Sequence, residues 1–428
     1  MLVSPRPTTT SEGEHAVPLQ QQRPTGKGAN QEAVRRHNLG TLLGHVHRDS
    51  DVSRADLTHR MGLNRSTIAA LVGELERLGV VAQSTPRGDR QGAGRPSLHV
   101  RPGEREVCVI AVELRVESIE LARIGLGGAV HGRRSVPVEV GASPVQVADQ
   151  VARAAADLLD DVPTDTLLVG MGVGMPGIVS TEDGRIHYAP NLAWSDVAFS
   201  ELVQERLGGE VPVVIGNDAN LGVLAEHARG VARGMSDVVY LSGDVGVGGG
   251  LITRGRSLLG TVGYAGEVGH MRISVGGRAC RCGNRGCWET EIGAVAVADA
   301  LGSPSHDIAR LVTLLETVDT PSPALREVGR MLGVGITNLI NIFDPQVVIL
   351  GGLLSALYPA VRADVDAEVQ HGTLDADDRR TQVLLPGLGR DSVLVGAGEL
   401  AFGAMMSDPL LVVAAAEQAV QRVRVAAV

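Results

Sequence analysis

Apolar residues recur at helical spacing near the start of the chain, after a stretch over residues 1–30 that shows no periodicity. Residues 32–48 carry one apolar stripe, and residues 54–61 form a short second helix. A third helix follows Asn64, with apolar side chains at i, i+3, i+4, i+7 and i+10. Gly62 stands in the turn between the second and third helices, so the pattern predicts a helix-turn-helix.

The start of the third helix carries polar side chains that suit nucleic acid. Arg65, Ser66 and Thr67 lie on the face opposite the apolar stripe. An arginine can bind guanine through two hydrogen bonds, and serine and threonine hydroxyls can reach bases or phosphates. We therefore predict that these three residues contact double-stranded DNA.

A basic loop follows the third helix. Residues 80–83 and 97–100 read as two short strands around an arginine- and glycine-rich segment that includes Arg95. Such a wing can contact the DNA backbone or the minor groove. The three helices alone would also fit any small helical bundle, but together with the basic wing they favour a winged helix-turn-helix.

The remainder of the chain has the pattern of an α/β fold. Three adjacent strands are predicted over residues 107–138, followed by an amphipathic helix over 144–159 and a buried strand that ends in a Gly-Pro turn. The later half reads as mostly helical, with an exposed Ala- and Val-rich end. The predicted division is a disordered tail (1–30), a DNA-binding head (31–105), a body (106–407) and a C-terminal extension (408–428).

Composition narrows the class of protein. The chain has 428 residues, enough for two or three domains, and 44% are hydrophobic while only 2% are aromatic. The cores must therefore consist of Val, Leu, Ile and Ala. No apolar run reaches 18 residues, so we expect no membrane span. The N-terminus has no basic-then-apolar signal, which predicts a cytoplasmic protein.

Charge is distributed unevenly along the chain. Residues 1–105 hold 15 Arg and Lys against 10 Asp and Glu, whereas the remaining residues hold 24 against 39. A basic head on an acidic body indicates that only the head meets a polyanion. Chance clustering on a solvated surface is the alternative that charge alone leaves open.

Three of the four cysteines lie within eight residues, at Cys280, Cys282 and Cys287, and His270 precedes them by ten residues. Three thiolates and one imidazole complete a tetrahedral zinc shell without an open position for water, which predicts structural zinc. The alternative is a disulfide loop with a spare thiol, but nothing in the sequence indicates an oxidising compartment.

The same stretch resembles a known family. E-x-G-H followed by C-x-C-G-x-x-G-C-x-E is similar to the signature of the ROK family (repressor, open reading frame, kinase), which joins bacterial sugar kinases to sugar-responsive repressors. The basic head resembles that of ROK transcriptional regulators of the xylose-repressor type. The resemblance implies a two-lobed, actin-like ATPase fold for the body.

The resemblance also implies roles for particular residues. It assigns zinc to the histidine and the three cysteines, and sugar hydroxyls to Glu267, His270 and Glu289. Asp218 matches the base that takes a proton from the sugar in the kinases, and Asn217 would be a sugar ligand beside it. A turn in which Asn and Asp merely cap a helix is the alternative for these two residues.

One segment departs from the family's kinases. Where those kinases have a glycine-rich phosphate loop, residues 112–117 contain no glycine and place Glu113 and Glu117 at the expected phosphate position. We therefore predict a sugar-responsive repressor rather than an enzyme, binding operator DNA and a sugar effector as a homodimer or homotetramer. The alternatives are an active ATP-dependent ROK sugar kinase with an accessory head, and a scaffold module that binds no sugar.

Overall fold

The computed structural model describes residues 31–85, 97–160, 162–180, 182–374 and 381–426. The predicted tail over residues 1–30 and the predicted wing arginine Arg95 lie outside the described residues.

The N-terminal part is a three-helix unit closed by a small antiparallel sheet with strand order β1-β3-β2. Its elements are α1 (Gln31–Asp49), β1 (Val52–Ser53), α2 (Arg54–Met61), α3 (Arg65–Arg77), β2 (Val81–Ser84) and β3 (His99–Pro102). Ser53 caps α2 by accepting a hydrogen bond from the Asp56 amide, and Asn64 caps α3 through the Thr67 amide. Gly62 has a φ of 63° in the turn between them. The three predicted helices are present, and the second and third are joined by the predicted short turn at Gly62.

The first lobe of the body contains a five-stranded mixed sheet. Its elements are β4 (Val107–Leu114), β5 (Ser118–Gly125), β6 (Val130–Pro137), α4 (Pro144–Asp157), β7 (Leu167–Met175), β8 (Ile178–Val179), β9 (Ile186–Ala189), β10 (Trp194–Val197), α5 (Phe199–Arg206) and β11 (Val213–Asn217). The strand order is β11-β7-β4-β5-β6, with β8, β9 and β10 in a separate small sheet. Every residue of β4 is buried, so this strand reads as a continuous rather than alternating apolar run.

The second lobe repeats this arrangement. Its elements are α6 (Asp218–Ala228), β12 (Val238–Gly243), β13 (Val247–Thr253), β14 (Arg256–Ser257), α7 (Trp288–Ile292), α8 (Ala294–Leu301), α9 (Ile308–Glu316), α10 (Pro323–Phe343), β15 (Val347–Gly352), α11 (Leu353–Gly372), β16 (Gln382–Leu384), α12 (Ser392–Ser407) and α13 (Pro409–Ala426). The strand order β14-β13-β12-β15-β16 mirrors the first sheet, because each lobe has an antiparallel meander followed by two parallel strands. This duplication confirms the predicted two-lobed fold.

Two helices, α6 and α12, pack against each other and lie between the two sheets. Helix α6 contacts β12 and β13, whereas α12 contacts β4 and β7. Their close approach depends on Gly396, because a Cβ atom there would lie 2.0 Å from the carbonyl oxygen of Leu221. The two helices therefore connect the lobes through the centre of the body.

The head and the body share one hydrophobic core. Leu39 and Leu43 of α1 belong to the same buried cluster as Phe402 of α12 and Val413 of α13. The expectation that residues 408–428 form an exposed extension was wrong for α13, because this helix contacts α1, α12 and β7. Its small Ala and Val side chains suit such close packing, and they bury one helix face against the head.

No single helix among the described residues is long and apolar enough to cross a bilayer. One pair, Gly389–Ser407 with Pro409–Ala419, reaches the required length and composition only in combination, and it is bent by 108°.

Candidate functional site

A cleft of about 940 Å³ opens between the two lobes. It lies at the carboxyl ends of the parallel strands, where open α/β sheets bind ligands. All of the residues predicted to bind sugar line it, namely Asn217, Asp218, Glu267, His270 and Glu289. The fold thus brings together side chains that the sequence separates by up to 72 positions.

The predicted metal ligands converge at the rim of this cleft. One ligand atom from each of His270, Cys280, Cys282 and Cys287 lies within 4.8 Å of the corresponding atom of every other member. The Sγ atoms of Cys282 and Cys287 are 3.7 Å apart, as are Cys280 Sγ and His270 Nδ1. A tetrahedral zinc with Zn–S bonds of about 2.3 Å requires S···S edges of about 3.8 Å. These four residues therefore fit such an ion.

A tight loop makes this convergence possible. The Cys280 amide donates a hydrogen bond to the Asn284 carbonyl oxygen at 2.9 Å, which turns the chain back on itself. At Gly286 the φ is 74°, and a Cβ atom would lie 1.7 Å from the Ser274 carbonyl oxygen. Only glycine fits at this crossing. The loop returns the chain to Cys287, which is fully buried and is the N-cap residue of α7.

The two ring nitrogens of His270 face different partners. Nδ1 points to Cys280, whereas Nε2 lies 3.8 Å from Glu267 Oε2. Glu289 approaches the same ring, with its Oε1 3.6 Å from Nδ1, and also accepts a hydrogen bond from the Cys280 thiol at 2.9 Å. The histidine therefore belongs both to the cysteine cluster and to the cleft, with the two glutamates on either side.

The start of α6 supplies the next two residues. The side-chain oxygen of Asn217 accepts hydrogen bonds from the Ala219 and Asn220 amides, and its amide donates to the Gly177 carbonyl oxygen at 3.0 Å. Asn217 is thus the cap of α6, which the sequence left open as an alternative, and one N–H of its amide remains for a ligand. Asp218 accepts from the Ala219 amide at 2.8 Å and from the Ser242 hydroxyl at 3.4 Å.

Carboxylates raise one another's pKa in this part of the cleft. Burial and the neighbouring Asp244, with smaller contributions from Glu113 and Glu267, raise the pKa of Asp218 to about 7. Burial and Glu113 raise the pKa of Asp244 to about 6. Both groups consequently change protonation state near neutral pH.

The turn from β4 to β5, which faces the predicted sugar-binding residues across the cleft, contains no glycine. Glu113 at the end of β4 is buried and Glu117 lines the cleft. The Arg115 guanidinium donates two hydrogen bonds to Glu113, at 2.9 and 3.0 Å. Burial raises the pKa of Glu113, although Arg115 opposes the rise. The carboxylate predicted at the phosphate position is therefore present, but an arginine holds it.

Two interactions in the cleft were missed in the sequence. Arg115 lies two residues from Glu113, the spacing that places side chains on one face of a strand, and this signal was available. Arg281 lies between two of the cysteines and donates to Asn191 Oδ1 across the cleft at 3.0 Å. No local pattern predicts this contact, since the partners are 90 residues apart.

The predicted DNA-contacting residues lie at the exposed start of α3. Arg65 and Ser66 are exposed and Thr67 is half-buried. The hydroxyls of Ser66 and Thr67 both donate to Asn64 Oδ1, at 2.7 and 3.0 Å. Arg65 therefore projects from the helix N-terminus while its two neighbours support the cap.

Comparison with known proteins establishes the family. Residues 109–403 match the model of the ROK family, so the chain belongs to the ROK family. It is similar to the xylose repressor of Bacillus subtilis (strain 168), with 29% identity over 376 residues that cover 87% of this chain and 96% of the relative.

Two solved structures have folds similar to that of this chain. A ROK family transcriptional regulator, a homologue of the E. coli MLC protein, superposes with a TM-score of 0.72 over 90% of this chain and 100% of its own. At 21% identity this likeness shows the fold alone. A ROK family glucokinase from Streptomyces griseus in complex with glucose and AMPPNP reaches a TM-score of 0.60 at 26% identity, over 68% of this chain and 98% of its own. The likeness to the regulator thus covers more of this chain than the likeness to the kinase.

Proposed function

We propose that this protein is a sugar-responsive transcriptional repressor of the ROK family. The observation that carries the proposal is the combination of a three-helix head, with Arg65 exposed at the start of α3, and a cleft lined by carboxylates, an amide and a histidine that suit a polyol. The similarity to a xylose repressor over 87% of the chain supports this reading. Xylose, glucose and N-acetylglucosamine all fit the chemistry of the cleft.

The sugar side of the cleft has donors and acceptors for vicinal hydroxyls. Asp218, Glu267 and Glu289 supply carboxylate oxygens, while His270 and the remaining Asn217 N–H supply donors. Two copies of the chain would place two heads on a two-fold symmetric operator, as a homodimer or within a homotetramer. A sugar that closes the lobes would change the spacing of the heads and release the operator. A cytoplasmic location remains the prediction from the sequence.

The cofactor that suits the four-residue cluster is structural zinc. Its three thiolates and one imidazole match the ligands that zinc prefers, and four protein ligands leave no position for a reactive water. When bound, the ion would supply a rigid anchor rather than chemistry. His270 would then keep Nδ1 toward the cluster and present Nε2 to the sugar and Glu267.

DNA binding through the head is tested with Arg65→Ala and operator fragments selected from a random library by the protein itself. If Arg65 contacts a base, the substitution should weaken binding by about 1–3 kcal/mol, as measured by gel shift or fluorescence anisotropy. Arg134→Ala, an exposed arginine on the body, is the matched control. Unchanged operator affinity in Arg65→Ala would show that the DNA-contacting face lies elsewhere.

An ATP-dependent sugar kinase is the alternative, and the pKa of Asp218 favours it. A carboxylate with a pKa of about 7 is suited to take a proton from a hydroxyl. Phosphoryl transfer also needs a held donor, however, and the buried Glu113–Arg115 pair replaces a phosphate-binding turn. A coupled assay with ATP and a sugar panel separates the two functions. Sugar-dependent ADP formation that is lost in Asp218→Asn would favour the kinase.

A further inference from the structure

A buried polar cluster joins the head to the body beneath α1. His47 near the end of α1 is 4% exposed, and the side chains of Arg229 and Glu399 are 13% and 12% exposed. Arg229 is the C-cap residue of α6 and Glu399 belongs to α12, and the two form an ion pair. Three elements distant in sequence therefore meet in one hydrogen-bonded cluster at the head–body interface.

Both ring nitrogens of His47 have partners in this cluster. Its Nδ1 lies 3.0 Å from the Gly127 amide nitrogen, and its Nε2 lies 3.2 Å from Glu399 Oε2 and 2.8 Å from Arg229 Nη2. Arg229 then donates to the His47 carbonyl oxygen at 3.2 Å and to the Gly127 carbonyl oxygen at 2.8 Å. One guanidinium thus contacts the head, the first lobe and α12 together.

The shape of the surrounding backbone accommodates this arginine. A Cβ atom at Gly128 would lie 2.3 Å from Arg229 Cζ, so the guanidinium occupies space that only glycine leaves. A second ion pair lies nearby, because Arg233 donates to Asp49 at the end of α1 at 2.7 Å. The segment after α6 therefore contacts the head at two points.

The other end of α6 lies in the cleft. The helix begins at Asp218 and ends at Ala228, so it spans roughly 16 Å at 1.5 Å per residue. Near its C-terminus the fully buried Glu226 accepts hydrogen bonds from the Gly387 and Leu388 amides and from the Ser392 hydroxyl, all between 2.8 and 3.0 Å. Helix α6 and the start of α12 are consequently held together as one unit.

We propose that Arg229, with Glu399 and His47, is the joint through which sugar binding at the start of α6 changes the position of the DNA-binding head. The inference rests on the proposed function and adds its route of regulation. A ligand that engages Asp218 displaces α6 together with the start of α12, and Arg229 carries that displacement to α1. Arg229 is thus a positioning residue, because it contacts neither sugar nor DNA.

The test compares the full-length protein with Arg229→Lys, which keeps the charge but loses the planar fork, and with Glu399→Gln, which removes the ion pair. D-xylose, D-glucose and N-acetyl-D-glucosamine are the probes, each used where it raises the melting temperature. The measured quantity is the ratio of operator Kd values with and without sugar. Coupling of this kind is about 5- to 150-fold in wild-type proteins, and we expect it to fall toward one in both variants.

A second readout needs no DNA. Hydrogen–deuterium exchange should show sugar-dependent changes in α6 and α1 of the wild type, and only in α6 of the variants. Arg206→Lys is the matched control, because Arg206 makes an ion pair with Asp149 and a hydrogen bond to a carbonyl within the first lobe. The control should retain the full ratio.

The possible outcomes test the role of Arg229 separately from the proposed repressor function. If both variants keep the wild-type ratio of operator Kd values, with or without a lower melting temperature, Arg229 does not transmit the effect of sugar. The proposed repressor function would not be affected by that result. If the wild type bound sugar and DNA but showed no coupling, the proposed function itself would fail. If Arg229→Lys did not fold, the ratio for Glu399→Gln would decide.

Discussion

The two walls of the cleft belong to lobes whose sheets have corresponding strand orders, but their side chains differ in chemistry. On the sugar wall, His270 lies between two glutamates and is backed by the cysteine cluster. On the opposite wall, Glu113 is buried against Arg115 where the family's kinases would hold phosphates. One wall offers oriented donors and acceptors, whereas the other offers a neutralised ion pair, and the turn from β4 to β5 beside this pair contains no glycine.

Under the proposed function, this difference separates what sugar binding requires from what phosphoryl transfer requires. Recognition of a polyol needs only a few groups at fixed positions, and a structural metal can hold those positions. Phosphoryl transfer needs in addition a nucleotide in line with the hydroxyl and neutralisation of its charge. Asp218 lies where the walls meet, and its pKa is raised by burial first and then by the carboxylates of Asp244, Glu113 and Glu267.

Removal of the metal should disturb the wall that carries Glu267, His270 and Glu289, and we expect this change to have the largest effect. Cys282→Ala should reduce bound zinc from one ion per chain, and it should weaken sugar binding by about 10- to 100-fold because His270 loses its anchor. Elemental analysis and calorimetry measure the two effects. Cys108→Ala, which removes the cysteine outside the cluster, is the control. Protein purified without chelator that contains no zinc would refute this account.

Substitution of Asp218, at the meeting point of the walls, should weaken sugar binding to a similar degree without loss of the metal. In Asp218→Asn one acceptor for a sugar hydroxyl becomes an amide, so sugar binding should weaken by about 1.5–3 kcal/mol. Operator binding without sugar should remain unchanged, because Asp218 lies at the far end of α6 from the head. Calorimetry and gel shift measure these quantities, with the exposed Asp157→Asn as control. Equal sugar affinity in both proteins would remove Asp218 from the sugar wall.

Local signals explain what the sequence could predict. The helix-turn-helix has its caps at Ser53 and Asn64 and its turn at Gly62, all within a dozen residues. The metal cluster has three of its four ligands within eight residues. The cap at Asn217 was also weighed, since Asn and Asp after a strand are typical of helix starts.

Long-range contacts explain what the sequence could not predict. Arg229 lies 182 residues from His47 and 170 from Glu399, so no window along the chain contains the cluster. Helix α11 contains Pro359 and is kinked at Val361, and no helical pattern in the sequence predicts that it continues through both. Helix α13 was expected to be exposed, because an Ala- and Val-rich segment does not reveal which surface it covers.

The smallest predicted effect concerns Asp244, whose carboxyl group lies near Glu113 on the wall opposite the predicted sugar-binding residues. It appears in the pH dependence of the free energy of unfolding. The pKa of Asp244 is raised from 3.8 to about 6 by burial and by Glu113, so the folded state disfavours its charged form. Below about pH 4 both the folded and unfolded states are protonated and no penalty exists, whereas above about pH 6 both are ionised and the penalty is complete. Asp244 therefore lowers the free energy of unfolding progressively as pH rises from about 4 to 6.

Asp244→Asn should consequently stabilise the protein more at pH 8 than at pH 5. One pKa unit corresponds to about 1.4 kcal/mol, and the remaining penalty between these two pH values is about 1 kcal/mol. Urea unfolding of both proteins at both pH values gives the difference, and effects of pH on the metal cluster cancel because they are common to the pair. A stabilisation that is equal at pH 5 and pH 8 would mean that Asp244 is solvated and that its pKa is not raised in the folded state.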